Sequence, residues 1–282
     1  MKRQRTNHKR DHNRAKTSEE GSALNPSTQL QSQAASSIGK VRTHNEDALF
    51  SLSTQVCLQA QHRALGLYMV ADGMGGHVDG ERASSLAIQA ASRVLLQKFL
   101  DPLTLELPFP SGKSVEALLN QAMQAAQMAV LEGVPGGGST LTLSLVLERQ
   151  LYFAHVGDTR LYLYAQSGGL KVLTRDHSVA RRLVDLGQLN AAEAQVNPLR
   201  NSLFRALGQG EGFSADLGQV TIEAPSKLLL CSDGLWGTLP EETLVKSLQA
   251  EPLPMDAAWK LVQAANAAGG ADNISVVIVD IR

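Results

Sequence analysis

Ser139-Thr-Leu-Thr-Leu-Ser-Leu-Val-Leu147, Leu151-Tyr-Phe-Ala-His-Val156 and Arg160-Leu-Tyr-Leu-Tyr164 follow one another with only Glu148-Arg-Gln150 and Gly157-Asp-Thr159 between them. Each run is apolar, rich in Leu, Val, Thr and aromatic residues, and too short for a core helix, so it reads as a strand. Three-residue polar connections predict antiparallel hairpins at both places. Upstream, 65–71 (LGLYMVA) is another compact apolar run; it ends in Asp72-Gly73, as a buried strand entering a tight loop does. Between these blocks, 80–100 and 114–132 carry apolar residues at three- and four-residue spacing, which predicts two amphipathic helices.

Downstream, 178–187 reads as a helix stopped by Gly187, and Asn190 with Glu193 has the pattern of a capping box opening a second short helix. A strand is expected over 227–231. Thr238 and Glu241 are placed to cap a helix over 240–250, and Pro254 to open one over 254–267. The apolar run 274–281 (ISVVIVDI) closes the chain as a strand. Helices therefore come in consecutive pairs between groups of strands. That pattern predicts an α+β fold of antiparallel sheets with segregated helices, not a doubly wound parallel sheet.

The 282 residues suit one domain with a substantial core, since 43% are hydrophobic. A net charge of −1 gives no global attraction to nucleic acid or acidic membranes. The first 16 residues nonetheless carry seven Lys/Arg against one Asp. Residues 1–36 are basic, then Ser/Gln/Ala-rich, without a periodic apolar face, and are expected to form a disordered tail ahead of a domain over 37–282. That tail is read as solvated, with a weak electrostatic tether as the functional alternative. Cys57 and Cys231 both lie in apolar stretches and are expected to be buried, reduced thiols. With neither a signal-peptide core nor a membrane-spanning run, the chain is read as cytoplasmic.

The chemistry-bearing feature is a set of acids where strands end: Glu46, Asp47, Asp72, Asp158, Asp176, Asp233 and Asp272. A single Asp-Gly pair is usually a turn. A set of them gathered over a core would repel and be costly to bury unpaired, and cations resolve that cost. Oxygen donors without His or Cys partners suit Mg²⁺ or Mn²⁺. Glycines beside the acids let backbone carbonyls approach an ion.

Arg42-Thr-His-Asn-Glu46-Asp47, Asp72-Gly-Met-Gly-Gly76, His155-Val-Gly-Asp158-Thr-Arg160, Thr174-Arg-Asp-His177, Leu230-Cys-Ser-Asp233-Gly-Leu235 and Gly270-Ala-Asp272-Asn-Ile-Ser275 resemble, in order, the motifs of the PP2C-type (PPM) protein phosphatase family, bacterial branch. The resemblance runs from about residue 38 to the C-terminus. It implies an αββα sandwich, two antiparallel sheets face to face with helix pairs outside. It further implies two Mn²⁺ or Mg²⁺ ions bridged by Asp72, one site completed by Asp233 and Asp272 and the other by the Gly73 carbonyl. Glu46 would contribute directly or through water. Asp158 would hold a third, weaker ion, sharing Asp233 and perhaps Asp176. Arg42 would grip the phosphate, and a hydroxide bridging the ions would attack phosphorus in line without a covalent phospho-enzyme.

The implied activity is hydrolysis of phosphoserine and phosphothreonine in proteins, with a Ser/Thr kinase as the opposing partner and a monomer as the working form. Met74 stands where eukaryotic members have a His proposed as the acid for the leaving alkoxide, so water is the first choice for that role. His77 is read as a solvent-facing loop residue, His155 and His177 as structural hydrogen-bonding groups, and Trp236 as packing. Residues 178–212 match the family's flap, where Arg175, Arg181, Arg182, Arg200 and Arg205 either attract a phosphoprotein or simply solvate the surface. A catalytically silent binding module and a small-phosphoester hydrolase are the alternatives. The complete acid set argues against the first and the Arg-bearing flap against the second. A nucleic-acid role has only the basic tail behind it.

Overall fold

The computed structural model describes residues 28–58, 61–75, 78–105, 110–210, 212–251 and 253–282. In chain order the elements are β1 (Leu30–Ser37), β2 (Asp47–Leu58), β3 (Gln61–Met74), α1 (Val78–Leu105), α2 (Lys113–Gly133), β4 (Gly138–Ser139), β5 (Leu141–Leu147), β6 (Gln150–Val156) and β7 (Arg160–Ala165). They continue with β8 (Gly169–Val172), α3 (Val179–Asp185), α4 (Ala191–Val196), β9 (Asp216–Thr221), β10 (Ser226–Cys231), α5 (Asp233–Trp236), α6 (Glu241–Ala250), α7 (Pro254–Ala267) and β11 (Ile274–Ile281).

Two antiparallel sheets result, one ordered β1-β11-β10-β7-β8 and the other β2-β3-β5-β6-β9, with β4 paired to β3. The period-two alternation of strands explains three separate cores. Leu65, Leu67, Met69 and Ala71 of β3 face α1 and α2, meeting Ala87, Ala91, Leu95, Leu119 and Met123. Tyr68 and Val70, between them in sequence, face the other sheet and meet Leu228, Leu230, Val277 and Val279. Ile274, Val276 and Ile278 of β11 turn outward onto Ala257, Leu261 and Ala265 of α7. Both faces of the central strands are covered, so they read as continuous apolar runs although their pairing is antiparallel. The αββα sandwich implied by the motifs is the observed architecture.

The structure corrects several sequence expectations. The segment 157–159 does not close a hairpin: β6 and β7 lie in different sheets, and the chain crosses between them through Gly157, whose φ is +104°. A three-residue connection permits a hairpin but does not require one, and here the strand on each side finds another partner. The tail expected over 1–36 ends earlier, because β1 pairs with β11 from Leu30↔Ile281 to Ser37↔Ile274. This edge strand is held by its backbone ladder and by hydroxyls, Ser32 Oγ accepting from Ser51 Oγ at 2.9 Å and Ser53 Oγ at 2.8 Å, so it needs no apolar periodicity. Residues 1–27, and with them the tether, lie outside the described residues. Cys231 is buried, but Cys57 is exposed near the end of β2. Pro240, not Thr238, is the N-cap of α6, and no side chain caps it. The Asn190–Glu193 capping box, the Pro254 start and the turn at Gly187 form as read.

Candidate metal centre

Six of the seven strand-end acids stand along one rim of the sandwich, and the seventh, Asp176, is paired with Arg160. Glu46 and Asp47 stand at the start of β2, Asp72 near the end of β3, Asp158 in the β6–β7 crossover, Asp233 at the first turn of α5 and Asp272 just before β11. Backbone contacts fix the frame. Thr140 Oγ1 accepts the Asp72 N–H at 2.8 Å, and the Thr140 N–H donates to the Asp72 carbonyl at 2.8 Å. The Gly73 N–H donates to the Glu46 carbonyl at 3.0 Å. A Cβ on Gly73 would lie 1.9 Å from the Gly80 carbonyl oxygen, so only glycine lets α1 approach this strand end.

The electrostatics show how much negative charge is packed here. Burial, then the charges of Asp47, Asp233 and Asp158, hold Asp72 well above the usual carboxylate range. Burial, then Asp233 and Asp176, does the same to Asp158, with Arg160 opposing. Asp233 is pushed up to about 6 by burial and by Asp272, with a hydrogen bond to Asp72 pulling the other way. Asp47 rises to about 7 through burial, against hydrogen bonds from Ser232 and Ser275. One oxygen each of Asp47 and Asp233, Oδ1 in both, is buried without a hydrogen-bond partner. Orphaned carboxylate oxygens in a mutually repelling, oxygen-only set fit hard divalent cations. Among the described residues no three His, Cys, Asp or Glu side chains close around a single point.

Arg42 is the cation at the mouth, 47% exposed. Its Nη2 donates to Asp272 Oδ2 at 2.8 Å, and Nη1 lies 3.9 Å from Glu46 Oε2. The Asp272 hydrogen bond, against a burial penalty, raises its already high pKa, so it stays charged. Asp176, which the resemblance left open as a donor to the third ion, is engaged by Arg160. Arg160 grips it with Nε at 2.9 Å and Nη2 at 2.6 Å, and both its oxygens are thereby used. Trp236 serves packing as read, with Nε1 donating to the Asp158 carbonyl at 2.9 Å and its ring 3.6 Å from the Arg160 guanidinium.

His155 and His177 both make side-chain hydrogen bonds within the fold. His155 bonds Thr142 Oγ1 at 2.8 Å and the Arg175 carbonyl at 3.1 Å, and burial pushes its pKa down to about 4. His177 Nδ1 accepts the Gly157 N–H at 3.0 Å while Nε2 reaches Asp216 Oδ2 at 3.0 Å, which defines its tautomer. His77 lies outside the described residues. The flap holds α3 and α4 and is pinned by bridges Ser178↔Leu203 and Ser139↔Leu207. Its arginines are more neutralised than the sequence suggests. Arg175 and Arg181 pair with Asp185 at 2.5 and 3.3 Å, and Arg205 with Asp216 at 2.7 Å. Arg200 donates to the Gln195 carbonyl. Between them the flap exposes Leu186, Val196, Leu199 and Phe204.

Two residues of the site have no role assigned from the sequence: Asp47, one of the strand-end acids, and Asn273, directly after Asp272. Ser232 Oγ donates to Asp47 Oδ2 at 2.7 Å, and Asn273 Oδ1 accepts the Glu46 N–H at 2.8 Å. Their adjacency to ligand candidates was the available signal; the partners come from distant strands.

The fold is a two-sheet sandwich with a crowded acid rim and Arg42 at its mouth. The chain belongs to the protein phosphatase 2C family, whose sequence profile (Protein phosphatase 2C) matches residues 32–274. It is 35% identical over 254 residues to the serine/threonine protein phosphatase PstP of Mycobacterium tuberculosis, covering 88% of this chain and 44% of that protein. Against the serine/threonine phosphatase Stp of Listeria monocytogenes it is 31% identical, covering 86% of this chain and 92% of the relative. The solved catalytic domain of PstP in complex with two manganese ions superposes with a TM-score of 0.73 at 32% identity, covering 90% of this chain and 99% of that one.

Proposed function

We propose that the chain is a metal-dependent protein phosphatase that hydrolyses phosphoserine and phosphothreonine. The observation that carries the reading is Asp233 Oδ1, buried without a partner beside an equally crowded Asp72. Asp72, Asp233, Asp272 and the Gly73 carbonyl would hold two Mn²⁺ or Mg²⁺ ions, with Glu46 alongside and Asp158 available to a weaker third. When bound, such ions ready water for attack and offset charge on phosphoryl oxygens. PstP, a relative of this chain, carries manganese in its solved structure.

The chain's own residues support the rest. Arg42 keeps its place through Asp272 and still has free N–H donors in its fork to orient a phosphoryl group. Neither Cys231 nor Ser232, beside Asp233, is placed to compete with water as a nucleophile: Cys231 is fully buried and burial pushes its thiol far up, while the Ser232 hydroxyl is committed to Asp47. Met74 cannot protonate the leaving alkoxide, so water held at the site supplies that proton. The flap's exposed apolar residues, with Arg182 beside them, form a surface for a phosphoprotein. Among the described residues no helix is long and apolar enough to cross a membrane. A cytoplasmic monomer opposing a Ser/Thr kinase completes the proposal. A silent binding module is disfavoured by the full acid set. The test is phosphate release from a phosphothreonine peptide: activity with Mn²⁺, none with chelator, and none for Asp233→Asn.

A further inference from the structure

Asn273 sits between Asp272 and β11 and is buried. Its side-chain amide is saturated. Oδ1 accepts the Glu46 N–H at 2.8 Å, and Nδ2 donates to the Ile38 and His44 carbonyls at 2.9 Å each. All three partners belong to the loop between β1 and β2, the loop that carries Arg42 and ends at Glu46. The Asn273 backbone N–H donates separately to Asp272 Oδ1 at 2.8 Å. The same loop lies flat on the Asp272 turn: Gly39 has φ +82°, and a Cβ there would sit 2.3 Å from the Asp272 carbonyl oxygen. The Lys40 N–H reaches the Gly270 carbonyl at 2.7 Å.

Arg42 itself is half exposed, and its ion pairs with Asp272 and Glu46 run from the side chain and not from the backbone that presents it. We propose that Asn273 is a positioning residue: its amide clamps the 38–46 loop to the last strand and so sets where Arg42 and Glu46 stand relative to Asp272. The proposal rests on the phosphatase reading for its kinetic consequence and on geometry alone for its structural one. No other residue of similar size does this. Asp lacks the two donors, and an apolar isostere offers neither the acceptor nor the donors.

A double-mutant cycle with amide hydrogen exchange on the full chain tests it. Asn273→Ala is expected to lower kcat/KM for a phosphothreonine peptide about tenfold in the wild-type background, but less than about threefold in Arg42→Ala, because the clamp then has little left to position. Exchange at the Lys40 and Glu46 amides accelerates in Asn273→Ala. In Asn273→Asp, which keeps the acceptor, Glu46 stays protected and Lys40 alone loosens. Should Asn273→Ala not fold, the near-isosteric Asp variant carries both measurements. Additive losses in the cycle, or unchanged exchange at Lys40, overturn the proposal. A wild-type chain with no hydrolysis counts against the phosphatase reading, and the exchange pattern then decides the clamp by itself.

Discussion

Asp47 and Asp72 stand directly opposite each other in the register of β2 and β3, two carboxylates on one rung of the ladder. Like charges so placed repel across a sheet, and burial together with the neighbouring acids raises both carboxylates above their usual range.

A pH dependence of stability follows. Asp47 and Asp233, at about 7 and about 6 in the fold, lie above the ordinary aspartate value of the unfolded chain. Between roughly pH 4 and 7 these acids bind more protons in the native state than in the unfolded one, so their contribution to stability falls as pH rises through that window, and His155, at about 4 in the fold, opposes them only below its ordinary value. The Tm of chelator-treated protein should drop by several degrees from pH 5 to pH 8, since about 1 kcal/mol moves Tm by roughly 2–4 °C at this size. Asp47→Asn should flatten the curve, and Mn²⁺ should raise Tm more at pH 8 than at pH 5. Calorimetry showing a flat profile without metal contradicts the crowding described here.

Gly73→Ala should be among the most damaging single-methyl additions in the chain. The added carbon meets the Gly80 carbonyl at 1.9 Å, so β3 or α1 must shift. A loss of about 1–3 kcal/mol, together with loss of Mn²⁺ binding by titration calorimetry, is expected. Full stability and binding would show that the close approach of α1 is dispensable.

Arg160→Ala leaves Asp176 buried without its two-pronged partner and removes the stack on Trp236. Breaking a pair of this kind costs about 3 kcal/mol. Arg160→Lys restores little because an ammonium cannot match both oxygens. Urea denaturation of the two variants checks this; a Lys variant as stable as wild type would contradict it.

How much of this was legible depends on what kind of force fixes each part. The strands around 65–71, 141–147 and 274–281 are buried on both faces and announce themselves by composition. The acids beside them announce the rim, and their order carried the family. Elements held by backbone pairing and hydroxyls gave no such sign: β1 is polar because β11 supplies its ladder and Ser51 and Ser53 its side-chain bonds. The crossover at Gly157 was invisible because a short link looks alike whether its strands pair or part. The role of Asp176 stayed open because the sequence does not show that Arg160, 16 residues away, is its partner. Asn273 had no role because its three partners lie more than 220 residues back.

The flap makes a separate prediction. Ser178 and Leu203 already form a bridge, so excising 179–202 joins ends that meet in the fold. Such a chain should lose at least tenfold in kcat/KM towards a phosphoprotein while turnover of a small aryl phosphate changes less than about threefold. Equal losses on both substrates would remove the docking role.

The central claim is that the buried acids of the rim gather around paired divalent ions. Anomalous diffraction from crystals soaked in Mn²⁺ tests it without reference to activity. The account predicts two strong peaks bounded by Asp72, Asp233, Asp272 and the Gly73 carbonyl, absent in Asp233→Asn; no peak there, or ions bound only elsewhere, would contradict it.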